Sequence, residues 1–371
     1  MFVRRFMSLL LLAMLMTLPV RHAAAADAVD CADSASDACY FSFCPAGSDG
    51  RFHYYASRAP AAAQPLRAPV AALIAIHSHS RDANRTFDAA LLAVRRAGAL
   101  NRILVVAPVF QVDADLDRKC HTAGVPTAQK GDLVWTCRSW MEGGPADNGR
   151  SLTSFAAMDA LVAEVARQWP GLRSITIAGF SAGAQMVQHY IGFAATAPAG
   201  GPAIRYVVAD PGTWLYFDPV RPQPMYDGVP VDWSQCSGGS DFLGGCSLAF
   251  KTMGIACPAV DRWKYGAENL PVRFRRSAAQ ARARYAEADI SYLEGELDSG
   301  AASGTAYRVL DKSCAAQAQG SYRLQRGLAY ALYDRTLLAP VKRRQVVVVP
   351  GCAHAVTCVF PSEAARAALL G

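Results

Sequence analysis

The chain has 371 residues, of which 52% are hydrophobic and 18% are charged, enough apolar sequence for one large core with an insertion. Its formal net charge is +7 at pH 7, and its basic residues are scattered, with no Lys/Arg run longer than three. This pattern argues against nucleic-acid binding, which needs a basic patch or stripe.

The N-terminus has the three parts of a secretory signal peptide. Arg4 and Arg5 precede the apolar run 6–20, and four alanines follow at 23–26. A membrane span is the alternative, but the apolar run is shorter than the about 20 residues that a span needs. We therefore predict cleavage of residues 1–26 and export to the periplasm or the extracellular space, without stable membrane insertion after cleavage.

All 11 cysteines follow this segment, and in an exported protein they predict disulfides rather than thiolate metal sites. Because the count is odd, at least one thiol stays free or pairs with another molecule. Two local pairs are expected, Cys120 with Cys137 and Cys352 with Cys358. The sequence does not pair the other seven, which are Cys31, Cys39, Cys44, Cys236, Cys246, Cys257 and Cys314.

Strand-length apolar runs alternate with helical segments along the remaining chain. After an irregular or short-stranded segment at 27–69, strands are predicted at 70–77, 102–110, 174–178, 206–209, 290–293 and 345–349. Helices are predicted at 83–100, 151–169, 182–195 and 362–370. This alternation indicates an α/β fold with a mostly parallel central sheet and helices on both faces.

The alternation is interrupted once, by residues 214–289, which are rich in Pro and Gly and show no clear strand. We interpret this segment as an insertion at the carboxyl edge of the sheet, where α/β proteins place lids and ligand pockets. The alternative is that its aromatic residues only form a small core of the insertion itself, namely Trp214, Tyr216, Phe217, Tyr226, Trp233, Trp263 and Tyr265.

A G-x-S-x-G motif, residues 179–183, lies between the predicted strand SITIA and a predicted helix. In this context the serine occupies a strained turn that raises its hydroxyl above the sheet, and small neighbours prevent clashes with the strand and the helix. Ser181 is therefore the candidate nucleophile. The alternative is a tight Gly-Ser turn that caps the helix.

With this motif the chain resembles the α/β-hydrolase superfamily over nearly all of residues 27–371. The segments RYVVADPGTWLYFDP, RWKYG and YLEGELDS are similar to a group of bacterial and fungal serine hydrolases. The resemblance implies the α/β-hydrolase fold, one catalytic domain at 27–371 with a lid or insertion between late strands, and a triad in the order serine, acid, histidine. It names no substrate.

The order of the triad assigns its other members. His354 follows the last predicted strand, QVVVVPG, where the superfamily places the general base for the serine. Asp298 lies just past ISYLEGEL, at the end of the preceding strand, where a carboxylate would orient His354. Glu294, Glu296 and Asp210 are the alternative acids.

An oxyanion hole needs two backbone N–H donors. The resemblance implies one donor from Ala182, directly after the nucleophile, and one from the loop that follows VAALIAIH, from Ser78 or His79. The same loop offers a weaker alternative, a metal site made of His77 and His79.

The stretch CAHAVTC, residues 352–358, also permits two interpretations. Cys352, Cys358 and His354 resemble three zinc ligands, but an oxidising compartment disfavours free thiolates. We favour a disulfide between the two cysteines, which would restrict the loop around the histidine.

Together these residues predict an exported serine hydrolase that cleaves an ester, of a small molecule or a polymer, through an acyl-enzyme intermediate. An amidase or peptidase with the same triad is the nearest alternative, and a non-catalytic binding protein on this fold is another. No metal or organic cofactor is expected, since the sequence contains neither a nucleotide-binding glycine pattern nor H-E-x-x-H.

Overall fold

A computed structural model of the chain describes residues 31–60, 68–147, 152–195, 200–236, 243–253 and 257–371. The predicted signal peptide, 1–26, lies outside these residues. The division into a catalytic domain at 27–371 with an insertion at 214–289 stays a prediction. Within the described ranges, no helix combines the length and the apolar character that crossing a bilayer requires.

The described strands are, in chain order, β1 (Tyr40–Phe43), β2 (Phe52–Ala56), β3 (Ala71–Ile76), β4 (Ile103–Val109), β5 (Gln111–Val112), β6 (Val134–Trp135), β7 (Ser174–Phe180), β8 (Ala203–Ala209), β9 (Arg221–Tyr226), β10 (Val229–Pro230), β11 (Ser247–Lys251), β12 (Asp289–Gly295) and β13 (Val346–Val349). The described helices are α1 (Ala83–Arg96), α2 (Ala114–Asp117), α3 (Ser154–Gln168), α4 (Ala182–Phe193), α5 (Ala278–Glu287), α6 (Cys314–Gln317), α7 (Arg323–Tyr333), α8 (Val356–Val359) and α9 (Arg366–Leu370).

Eight of these strands form the central sheet, in the order β1-β2-β4-β3-β7-β8-β12-β13. Strand β2 runs antiparallel to both of its neighbours, and every other neighbouring pair is parallel. The predicted mostly parallel sheet is therefore confirmed. The carboxyl ends of β3, β7, β8, β12 and β13 meet at one edge, which is the edge that α/β folds use for ligand sites.

Helices cover both faces of the sheet. Successive side chains of a strand point to opposite faces, and because these strands are apolar on both, each face needs a layer of helices to bury it. Ile74 and Ile76 of β3 pack in a core with residues of α3, α4, α5 and α7. Leu73 and Ala75 of the same strand pack in a second core with α1, α8 and α9. These two cores hold the carboxyl ends of the central strands in fixed positions.

The segment at 214–289 differs from the prediction in two ways. It contains strands, because β9, β10 and β11 form a separate three-stranded sheet. Strand β9 is not predicted from the sequence because it contains Pro222 and Pro224, and proline lacks the N–H that pairs one strand with the next. Its first aromatics, Trp214, Tyr216 and Phe217, are buried in the main core rather than in a small core of their own.

The predicted helices differ from the observed ones at their ends. Helix α1 stops at Arg96 instead of continuing to residue 100, because Gly98 has a positive φ of 63° and turns the chain out of the helix. The helix predicted from residue 151 begins at Ser154, with the Thr153 side chain as its N-cap. The final helix, predicted at 362–370, begins only at Arg366 as α9.

Five disulfides join described cysteines. Cys120 bonds to Cys137 and Cys352 to Cys358, which are the two pairs expected from the sequence. The three further bonds are Cys31–Cys39, Cys236–Cys246 and Cys257–Cys314. Cys44 is exposed and has no disulfide partner among the described residues.

Candidate active site

Ser181 stands at the junction of β7 and α4, at the carboxyl edge of the sheet. Its backbone has φ 57° and ψ −116°, a sparsely populated conformation for a residue with a side chain. A Cβ on Gly179 would lie 2.2 Å from the carbonyl oxygen of Gly183, and one on Gly183 would lie 2.4 Å from that of Ile76. The turn therefore closes only with glycine at both positions.

His354 lies in the loop after β13, where the sequence places it. Its Nε2 is 2.8 Å from the Ser181 hydroxyl, and its backbone N–H donates to the carbonyl of Gly304. The imidazole packs against the Phe180 ring, with centroids 4.8 Å apart. Burial lowers the pKa of His354 below its ordinary value, which favours the neutral ring that can accept a proton.

Asp298, just after β12, holds the other ring nitrogen of His354. Its Oδ2 lies 2.7 Å from His354 Nδ1, and its Oδ1 lies 3.4 Å from the guanidinium of Arg323. Arg323, at the start of α7, also donates to the carbonyl of Thr305 at 2.7 Å. Its side chain is only 4% exposed, so this buried cation compensates the charge of the Asp298 carboxylate. Arg323 stands in no sequence motif that predicts this role.

The alternative acids do not hydrogen-bond to His354. Asp210 accepts a backbone N–H of β12 at 2.7 Å, and burial, together with the charge of Asp298, raises the pKa of Asp210 to about 7. Burial also raises the pKa of Glu294, and the neighbouring Asp210 raises it further, well above the usual range. Glu296 accepts a backbone N–H from the loop after β13 at 2.7 Å.

Of the three oxyanion donors predicted from the sequence, one has its N–H engaged elsewhere and two line the cleft. The backbone N–H of Ser78 donates to the Asp82 carboxylate at 2.8 Å, so the prediction of Ser78 as an oxyanion donor is wrong. Ala182 and His79 both line the cleft at Ser181. The Ala182 N–H belongs to the first turn of α4, where backbone donors have no partner within the helix.

The His77–His79 metal alternative is wrong, because both ring nitrogens of His77 are engaged. Its Nδ1 donates to the carbonyl of Ser78 at 2.8 Å, and its Nε2 accepts the N–H of Phe110 at 3.2 Å. Burial lowers the pKa of His77 to about 4, so the ring stays neutral. This histidine fixes the loop that follows β3.

The zinc alternative at 352–358 is also wrong, because the disulfide occupies both sulfur atoms. One group of three potential ligands occurs in the described part of the chain, where atoms of Asp210, Asp298 and His354 lie within 4.8 Å of one another. Both ring nitrogens of His354 already hydrogen-bond inside the site, so we interpret this group as a hydrogen-bonded network.

The Ser181 hydroxyl opens into a cleft of about 680 Å³. Its lining includes Lys119, Arg138 and Met141, the segment 264–265 within 214–289, and the segment 308–311 between β12 and α7. Gln185, one helical turn after Ser181, also lines the cleft. A cleft of this size holds a drug-sized molecule.

No protein-family model and no curated protein matches the sequence. Among solved structures, poly(aspartic acid) hydrolase-1 from Sphingomonas sp. KT-1 is 19% identical, with a TM-score of 0.54, over 90% of this chain and 98% of that one. A poly(3-hydroxybutyrate) depolymerase from Bordetella parapertussis is 17% identical, with a TM-score of 0.50, over 86% of this chain and 84% of that one. The likeness shows that this chain has the α/β-hydrolase fold.

Proposed function

We propose that this chain, with its α/β-hydrolase fold, is an exported serine hydrolase that cleaves a carboxylic ester. The observation that carries the proposal is the hydrogen-bonded series from Ser181 through His354 to Asp298, with distances of 2.8 and 2.7 Å. A serine on a strained turn, a neutral buried imidazole and a buried carboxylate in this order match the requirements of acyl transfer. The five disulfides support export.

The mechanism uses each group in a defined role. His354 Nε2 takes the proton of Ser181 as the oxygen attacks the ester carbonyl, while Asp298 holds the Nδ1–H and stabilises the imidazolium. The backbone N–H groups of Ala182 and His79 stabilise the oxyanion of the tetrahedral intermediate. The imidazolium then protonates the departing alcohol, and water hydrolyses the acyl-enzyme with the same histidine as base.

A fluorophosphonate probe tests the proposal directly. Wild-type protein is expected to be labelled, with the adduct mapped to Ser181, because the probe reacts only with a serine whose hydroxyl is activated. The Ser181→Ala variant should remain unlabelled, whereas Ser299→Ala, which removes an exposed serine beside Asp298, should label like wild type. Unlabelled wild type would favour a non-catalytic binding protein, and equal labelling of Ser181→Ala would show that a different residue is the nucleophile; either result would contradict the triad. Matched p-nitrophenyl esters and anilides then distinguish an esterase from an amidase.

The pH profile is expected to show an acid limb centred below pH 6.5. The base must be neutral, and burial lowers the pKa of His354 from its ordinary value of 6.5. Activity should therefore be fully present above 6.5 and be lost as pH falls through the lowered pKa. The measurement is kcat/KM for an uncharged p-nitrophenyl ester from acid to neutral pH. A limb centred above 7 would contradict this assignment.

Removal of the Cys352–Cys358 disulfide is expected to affect both stability and turnover. A loop of this length contributes about 2 kcal/mol to the free energy of unfolding, and its release lets His354 move away from Ser181, which we expect to lower kcat about tenfold. Thermal denaturation and kcat of the double Cys→Ser variant measure the two effects.

The matched control is the double serine variant at Cys31 and Cys39, which opens a loop of similar length whose cysteines do not line the cleft. It should lose comparable stability and keep the wild-type kcat. An equal loss of kcat in both variants would show that the disulfide around His354 has no special effect on the site.

A further inference from the structure

The cleft at Ser181 is lined by many more cations than anions. Asp311 is the acid among its lining residues, against five basic side chains, those of Lys119, Arg138, Lys264, Arg308 and Arg323. Such a surface attracts negatively charged molecules and repels positively charged ones. Only cations without a partner inside the protein remain available to a substrate.

Two of the five are neutralised inside the protein. Arg323 pairs with Asp298 at 3.4 Å, behind the candidate triad. Lys264 lies 3.3 Å from Glu142 and 3.6 Å from Asp311. These pairs hold the walls together and leave little net charge for a ligand.

The other three, Lys119, Arg138 and Arg308, are exposed and form no ion pair with a described acid. Lys119 and Arg138 directly adjoin the two ends of the Cys120–Cys137 disulfide, whose Cα atoms are 5.9 Å apart. The disulfide therefore keeps these two cations on one side of the cleft. Arg308 contributes a third cation from the loop after β12.

The charge of Arg138 reaches His79, the candidate second oxyanion donor in the loop after β3. Burial lowers the pKa of His79, and the nearby Arg138 lowers it further, because a positive neighbour disfavours protonation of the imidazole. The positive potential of this side of the cleft therefore extends to the residues around the reacting bond.

A buried amide adds a polar contact at the bottom of the cleft. Gln185 is 4% exposed, and its side-chain oxygen accepts the hydroxyl of Thr213 at 2.9 Å. The amide nitrogen of Gln185 is buried and has no hydrogen-bond partner among the described residues. Buried donors are normally satisfied, so this nitrogen is suited to donate to an oxygen of a bound molecule.

We propose that the substrate is an anionic ester, whose acyl part carries a further carboxylate that Arg138, Lys119 and Arg308 bind. This inference rests on the proposed function, because it concerns the substrate of the same serine. Met141, Tyr265 and Leu310 give the lining its apolar part, which would contact the hydrocarbon that links the carboxylate to the ester.

A matched pair of substrates tests the proposal. One is the mono-4-nitrophenyl ester of adipic acid, with a free carboxylate, and the other is its methyl ester, which has the same chain and no charge. Wild-type kcat/KM is expected to be about tenfold higher for the anionic substrate, and only this value should fall as salt is added.

Charge-removing variants identify the cations responsible. Arg138→Gln, Arg308→Gln and Lys119→Gln are each expected to lower kcat/KM for the anionic substrate about two- to fivefold, and the triple variant about tenfold, which removes the preference. The measured quantity is the ratio of kcat/KM for the anionic substrate to kcat/KM for the uncharged methyl ester, because a charge near the reacting bond acts on both substrates and only carboxylate binding changes their ratio. The control is Arg343→Gln, an equal charge change on an exposed arginine just before β13, at the opposite edge of the sheet, and it should change neither substrate.

The outcomes separate this inference from the proposed function. Equal kcat/KM for the two substrates, or an unchanged ratio in the triple variant, would overturn the anionic preference while fluorophosphonate labelling and methyl-ester hydrolysis still supported a serine hydrolase. Absence of labelling and of turnover for both substrates would overturn both proposals.

Discussion

The Asp298→Asn variant is expected to lower kcat by about 10⁴ and to lower the melting temperature, because the buried Arg323 loses its charged partner. Asparagine has the same shape as aspartate, but its amide neither stabilises the imidazolium nor holds His354 in the tautomer that accepts the Ser181 proton. The change should therefore leave KM for an uncharged ester close to its wild-type value. Steady-state kinetics, with thermal denaturation to check the fold, measure the effect.

The matched control is Asp210→Asn. Asp210 is buried beside Asp298, but its carboxylate accepts a hydrogen bond from a backbone N–H of β12. The side-chain oxygen of asparagine can accept the same bond. Its kcat should stay within about tenfold of wild type. A loss near 10⁴ in Asp210→Asn, with little loss in Asp298→Asn, would show that Asp210 is the acid of the triad.

The Gly183→Ala variant is expected to lose most of its activity and part of its stability. The new Cβ would lie 2.4 Å from the carbonyl oxygen of Ile76 and 2.5 Å from that of His77, so the end of β3 must shift. Forcing one extra methyl into packed backbone costs about 1–3 kcal/mol, and a displacement of about 1 Å at the adjoining oxyanion loop lowers kcat about 10²-fold.

Gly171→Ala provides the control for this variant. Its Cβ would meet no atom closer than 4.0 Å, and it precedes β7, on the edge of the sheet away from Ser181. Its melting temperature and kcat should match those of wild type. Wild-type kcat in Gly183→Ala would show that the turn and the loop after β3 are not sterically coupled as the structure indicates.

The sheet and the candidate nucleophile were predictable because their signals are local. Strands β3, β4 and β13 are continuous apolar runs. Ser181 stands in a motif whose glycines are required by contacts with adjacent backbone. His354 and Asp298 were found by their positions after the last two strands. The order of the chain therefore carried most of the information about the candidate triad.

Helix α7 is not among the helices predicted from the sequence, because its polar residues do not all face solvent. Arg323, Gln325 and Arg326 are buried in it, so its polar residues do not mark a solvent-facing side. These side chains are satisfied by partners distant in sequence, such as Asp298 for Arg323. A pattern based on alternating polarity cannot identify a helix whose polar groups point inward.

The oxyanion donor and the cations of the cleft show two further limits of prediction from the sequence. The Ser78 N–H is taken by Asp82, four residues later, and such a local acceptor is a signal that the sequence does contain. The positions of Lys119 and Arg138 follow from the expected Cys120–Cys137 bond, which they adjoin. Arg308 reaches the cleft only through tertiary folding, and no local pattern indicates it.

Two of the disulfides have a consequence for how the protein must be prepared. One closes the loop of His354 and the other joins the two segments that carry Lys119 and Arg138. A chain produced in a reducing bacterial cytoplasm lacks both bonds and begins with two unconstrained walls of its cleft. Secretion into an oxidising compartment, or refolding with a thiol–disulfide buffer, is therefore the route to material whose measured activity represents the native protein.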